Sequence, residues 1–210
     1  MSDILYSNCL KKEIGVIIKK EDSSISEEDL VKIKRLSLNK KGYLGEEKDY
    51  YIVDLVKFIN LEAITLSGFS FSENEIIILN SLPKIKFIHF DFCNFNSNHV
   101  QLSSNVESIV INCCKNLNLI DFDFSNIKSL KFVSSKNEKK IVNMEDFKVN
   151  GNLKELSINN CRINNIEKVL QTAPNVANLN IDGSEILAEK ELNSLKIKIS
   201  HKKEFHRVDS

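Results

Sequence analysis

A recurring apolar pattern constrains this chain more than any other feature. The segments IKRLSLNKKGY, LEAITLSGFSF, IKFIHFDFCNF, VESIVINCCKN, IKSLKFVSSKN, LKELSINNCRI and VANLNIDGSEI carry apolar residues at their first, fourth and sixth positions. They start at Ile33, Leu61, Ile85, Val106, Ile127, Leu153 and Val176, so successive starts lie 28, 24, 21, 21, 26 and 23 residues apart. A truncated eighth unit, LNSLKIKIS from Leu192, closes the series. In a chain this rich in aliphatic residues the triplet alone recurs by chance in on the order of ten windows. Independent features carry the case. Cys93, Cys114 and Cys161 all fall at the ninth position, and both prolines, Pro83 and Pro174, stand two residues before a unit start. Apolar residues also recur six and three places upstream: Leu55 and Phe58, Leu79 and Leu82, Leu170 and Ala173. That spacing is a helix period running into a strand period.

A repeat of this length folds as a quasi-one-dimensional stack. Each unit is expected to place a short strand around positions three to five, parallel to its neighbours, with positions one, four and six in a shared core. Position nine falls where the chain turns off the strand, and a small polar side chain there satisfies buried backbone groups. Helices are expected over Glu47 to Phe58, Glu73 to Asn80 and Glu167 to Thr172, with Ser72 and Glu75 as a capping box. The crossings near Ser97 to Ser103 and Leu117 to Asn126 leave room only for turns or 3-10 helix. Residues 1–32 are expected to cap the stack: Ile14, Val16 and Ile18 alternate as a half-buried strand does, and Ser26 with Asp29 can start a short helix through Ile33. Lys196 to Ile199 reads as a last strand, and 200–210 as a polar, basic tail.

The pattern resembles the leucine-rich-repeat family, whose signature is L-x-x-L-x-L-x-x-[N/C]-x-L. The resemblance runs from about Ile33 to Ile199 and is closest in the units from Ile85 and Leu153, which end in Cys93-Asn94-Phe95 and Cys161-Arg162-Ile163. Lys41, Phe69, Ser135 and Ser184 depart from it at the ninth position. The resemblance implies an α/β solenoid of seven to eight repeats over residues 33–199. Its curved parallel sheet lies on the concave side, and short helices and turns lie on the convex side. Members of the family generally recognise protein ligands on the concave surface.

Charge and chemistry narrow the function classes. Lysine plus arginine equals aspartate plus glutamate at 29 each, so no net positive field draws the chain to nucleic acid or an anionic membrane. The longest aliphatic run, Ile76 to Leu79, is too short to span a bilayer, and the first ten residues lack the pattern of a signal peptide, so a cytoplasmic location is expected. Five cysteines cannot all pair, and adjacent Cys113 and Cys114 lack zinc-ligand spacing. His89, Asp91 and Cys93 are close in sequence, yet the register sends Cys93 into the core and His89 to the opposite face, so no thiol site is expected. His201 and His206 belong to the solvated tail. The six glycines form no phosphate-cradling loop. No catalytic residue, cofactor or metal is expected.

The remaining expectation is a binding face, because positions three, five and seven of successive strands align into columns. Position three reads Arg35, Ala63, Phe87, Ser108, Ser129, Glu155, Asn178; most other column members are small or polar too. Phe87, Phe92, Val110 and Val133 are the apolar exceptions, with His89, Asp91, Asn112 and Lys131 around them. Rigid apolar side chains ringed by polar ones form interface hot spots. A non-catalytic scaffold binding a protein partner of unknown identity is therefore expected there, with Phe87 facing solvent as its anchor. The alternative is a structural repeat subunit joined to an assembly through edge strands or the convex face.

Overall fold

Inward-pointing residues at positions four and six require a strand, and a strand spans positions three to seven in most units. The computed structural model describes residues 5–41, 48–96, 100–117, 122–149, 151–187 and 198–200. Within these, Arg35–Asn39, Ala63–Ser67, Phe87–Asp91, Ser108–Asn112, Ser129–Val133, Glu155–Asn159, Asn178–Asn180 and Lys198–Ser200 form one eight-stranded parallel sheet. Its strand order is the chain order. Pairing is position for position across the seven units: Leu36, Ile64, Ile88, Ile109, Leu130, Leu156 and Leu179 are successive register partners. All are buried, as are the sixth-position residues from Leu38 to Ile181. The unequal intervals are therefore absorbed in the crossings.

The eighth strand departs from expectation. Ile199 pairs with Leu179, which sets that unit four residues later than a start at Leu192 implies. The Lys198–Ser200 segment takes the pairing partners, and the rest of the expected strand and the tail 201–210 lie outside the described residues.

Opposite the sheet the crossings carry α-helices Glu73–Asn80 and Ile166–Thr172 and 3-10 segments Ile52–Lys57 and Met144–Asp146. The capping box forms: Glu75 Oε2 accepts from the Ser72 backbone N–H at 2.8 Å and from its hydroxyl. Within the described part of that expected helix, only Ile52–Lys57 is helical, and it is 3-10 and not α. Ile52, Leu55 and Phe58 are all buried at a spacing of three, the period that a 3-10 turn superimposes. The first part of that expected helix lies outside the described residues. Two- and three-residue parallel ribbons also line this side. Ser70–Phe71 pairs with Asn94–Phe95, Val100–Gln101 with Phe122–Asp123, and Arg162–Asn164 lies between Ile141–Asn143 and Glu185–Ile186. Ser70–Phe71 with Asn94–Phe95, and Arg162–Ile163 with Glu185–Ile186, join positions ten and eleven of neighbouring units; the other pairs join segments further along the crossings. Phenylalanines fill the space between layers, with centroids of Phe71 and Phe95, Phe95 and Phe122, and Phe122 and Phe124 spaced 5.4, 5.5 and 5.4 Å.

The expected strand through Ile14, Val16 and Ile18 is instead part of the α-helix Asn8–Ile18. Leu10 and Ile14, four apart, are fully buried, whereas Val16 is 79% exposed, so the helical period governs and the alternation is incidental. The helix Glu27–Val31 follows, shorter than expected, with Asp29 Oδ2 accepting from the Ser26 N–H and hydroxyl at 3.1 and 2.8 Å. Leu10, Ile14 and Leu30 join the same core as the strands. Among the described residues no helix is long and apolar enough to cross a membrane.

Candidate functional site

The register brings seven of the eight expected site residues onto three adjacent strands. Phe87 lies beside Ser108, His89 beside Val110, and Asp91 beside Asn112; Lys131 and Val133 follow on the next strand. Phe87, Val110 and Val133 occupy positions three, five and seven of successive strands, so they form one diagonal stripe. All three are half-buried. Phe87 stands on the face of the sheet opposite the core and is partly packed there against its neighbours.

Phe92 does not join the columns. It stands at position eight, where the chain leaves the strand, with φ +48° and 63% exposure. Position eight is left-handed in five units, through Gly68, Phe92, Cys113, Asn160 and Gly183. Glycine and asparagine suit that conformation; a phenylalanine there costs about 1 kcal/mol. A strained, exposed aromatic side chain at the rim marks the place where the face differs most from the demands of folding.

Asp91 holds the seventh column together. Its carboxylate accepts from Ser67 Oγ at 3.1 Å and from Asn112 Nδ2 at 2.6 Å, so both oxygens are engaged within the face. His89 lies between Thr65 and Val110, with its Nε2 buried and without a hydrogen-bond partner. Burial lowers its pKa below the usual histidine value, opposed by the nearby Asp91 carboxylate and aided by the Lys131 charge.

Position-nine side chains work on the other side of the sheet. Cys93 Sγ donates to Leu66 O at 3.1 Å, Cys114 Sγ to Phe90 O at 3.6 Å, and Ser184 Oγ to Ile158 O at 2.7 Å. In each case the acceptor is the sixth-position carbonyl of the preceding unit. Cys161 Sγ donates to Asn159 O at 3.2 Å, and burial pushes its thiol up to about 12. A hydrogen bond with Cys93, then burial, pushes the Cys114 thiol up. Cys93 is fully buried, so the sheet separates it from His89. Among the described residues no group of three or more His, Cys, Asp or Glu is placed to hold a metal ion.

Two features escaped the sequence reading. Position two alternates in charge through Lys34, Glu62, Lys86, Glu107 and Lys128, with ion pairs Lys34 to Glu62 at 3.3 Å and Lys128 to Glu107 at 3.0 Å. These pairs are exposed and contribute little stability, but they favour this register over a slipped one. The second feature is relief. Small residues open two hollows flanking the stripe. One of about 540 Å³ is lined by Arg35, Ser37, Ala63, Thr65 and Phe87; the other, of about 370 Å³, by Ser129, Lys131, Glu155, Ser157, Asn178 and Asn180. Column composition held the signal for the first hollow, where Ala63 stands between Arg35 and Phe87.

No known family model matches the chain, and no curated protein matches its sequence.

Proposed function

We propose that this chain is a leucine-rich-repeat solenoid and a non-catalytic scaffold that binds a protein partner on the face of its parallel sheet. The observation that carries the reading is the diagonal of Phe87, Val110 and Val133, half-buried side chains set among hydroxyls and amides. A partner apolar group laid along that diagonal completes burial already half made, while the neighbouring polar columns and the hollows give it orientation. The reversed roles of the two faces support the same reading. Thiols and Ser184 serve the turn on the core side, so the chemistry left facing outward is contact chemistry. The repeat assignment is supported by sequential strand order, one register throughout, and the position-nine hydrogen bond that Cys93, Cys114 and Ser184 have in common. A reducing, cytoplasmic setting fits five free thiols.

The test is site-specific photocrosslinking in the source cell from Val110 on the sheet face and from Ile77, 63% exposed on the helix side. The expected result is a discrete adduct from position 110 that Phe87→Ala abolishes. An adduct from position 77 alone, or one insensitive to Phe87→Ala, would overturn the assignment.

A further inference from the structure

Cys93 and Cys114 stand at position nine of adjacent units. The register that joins Asp91 to Asn112 resumes with the same offset at Asn94 and Lys115, so the two cysteines lie side by side between paired residues. Backbone bonds hold them there: Phe92 N–H donates to Asn112 O at 2.9 Å, and Lys115 N–H to Cys93 O at 2.7 Å. Neighbouring strands run about 4.8 Å apart, and a disulfide needs its Cα atoms about 4.4–6.8 Å apart. The stacked backbones therefore meet that requirement without moving a unit.

The side chains point the same way. Cys93 Sγ donates to Leu66 O and Cys114 Sγ to Phe90 O, and Leu66 and Phe90 are themselves register partners. Both sulfurs thus hang from equivalent carbonyls on the core side of the sheet. They also hydrogen-bond one another, which lowers the Cys93 pKa and raises that of Cys114, so Cys93 is the first to become a thiolate. Cys161 is out of reach. Ser135 holds position nine in the unit between, which leaves Cys161 two strand spacings from Cys114, about 10 Å.

We propose that Cys93 and Cys114 are a redox-active dithiol, which a low-molecular-weight disulfide oxidises to an intramolecular disulfide that ties the units from Ile85 and Val106 together. Cys93 gives up its proton, and its thiolate attacks one sulfur of the reagent; the reagent S–S bond breaks, and the leaving thiolate takes up a proton. Cys114 then loses its proton and attacks Cys93 Sγ, which releases the second reagent thiol. Two protein thiols are oxidised, and one reagent disulfide is reduced to two thiols. The donors given up are weak ones, two S–H groups. Both sulfurs are buried, so exchange waits on local opening, which limits its rate and not its equilibrium. The bond lies two residues beyond Asp91 and Asn112 and fixes the spacing of those strands whether or not their outer face binds a partner.

The full-length protein is equilibrated with reduced and oxidised dithiothreitol, from both directions, under native conditions and in concentrated urea. After alkylation the products are mapped by cleavage at Glu107, which separates the two cysteines. The constant for forming the Cys93–Cys114 bond is expected to be at least about tenfold larger in the native protein than in urea, where the same residues must meet by closing a loop of disordered chain. Two of the five thiols should be lost on native oxidation, Cys113→Ser should leave that loss unchanged, and Cys114→Ser should abolish it. Should either variant fold poorly, the wild-type ratio still decides. A ratio below that margin would overturn the proposal. So would a native bond that maps to Cys113, or a linked dimer through Cys9 or Cys113 as the main product.

Discussion

Cys161 tests the repeat register most sharply, because it is fully buried and its neighbours leave no route to water. Its thiol donates to Asn159 O at 3.2 Å, and its backbone N–H donates to Ser184 Oγ at 3.0 Å, so the slot demands a small donor. Asparagine supplies one, and asparagine is the residue that the ninth place of this pattern accommodates. Cys161→Asn is therefore expected to change stability by no more than about 1 kcal/mol, the net worth of an exchanged hydrogen bond. Cys161→Lys puts an ammonium beside Ile158 and Ile163, both fully buried, with no carboxylate hydrogen-bonded there. An uncompensated buried charge costs about 3–5 kcal/mol, a large part of the roughly 5–15 kcal/mol that a domain has. At about 2–4 °C per kcal/mol for this chain length, the lysine variant should melt some 6–20 °C below wild type and the asparagine variant within about 4 °C of it. Thermal melts followed by circular dichroism at a fixed pH decide the matter. Equal melting temperatures for the two variants would refute the placement of position nine in a closed turn.

Other expectations follow from the same geometry. Phe87→Ala should weaken partner binding by about 2 kcal/mol, roughly thirtyfold, by calorimetry, and half-burial means that it should also cost about 1–2 kcal/mol of folding stability; Glu73→Ala on the helix side should change neither. Denatured, freshly purified protein should titrate five free thiols and carry no zinc by elemental analysis; a stoichiometric metal or a missing thiol would contradict the slot assignment. Asp29, whose carboxyl is held well below the carboxylate range first by its bond from Lys20 at 2.7 Å and then by Ser26, stabilises the fold above the unfolded value near 4. Its contribution is lost as pH falls below that value, so acid titration should melt the wild type more steeply there than Asp29→Asn. His89 acts in the same direction in a higher pH window: with its folded pKa lowered by burial, protonation opposes the fold. Stability should therefore decline as pH falls below about 6.5, and less so in His89→Gln.

The strands were legible in the sequence because burial at positions four and six is written in residue type. Leu36, Ile64 and their successors could hardly face water. Pairing partners followed once the units were aligned, since in-register stacking needs only equal positions. The N-terminal helix was misread because Ile14, Val16 and Ile18 satisfy a period of two by accident, while the decisive pair, Leu10 and Ile14, speaks only when burial is known. The diagonal of Phe87, Val110 and Val133 was assembled from residues already singled out, but its direction crosses columns and exists only once register is fixed. The left-handed bend at Phe92 had no sequence signal, since its neighbours in that row are glycine at one unit and cysteine at another. Asp91 was read as a contact residue, and the hydrogen bonds that occupy it come from units 24 residues before and 21 after.

A sheet whose strand order is the chain order has a mechanical meaning. Each strand is tied only to the units before and after it, so tension applied at the two ends does not shear the whole sheet at once. It peels the outermost unit first and then meets an equivalent one. Units of 21 to 28 residues would each release about 70–100 Å of chain, at roughly 3.3–3.6 Å per residue, giving a sawtooth and not a single rupture. The same locality places most contacts within about one repeat of sequence, so refolding can begin at any pair of units and spread outward.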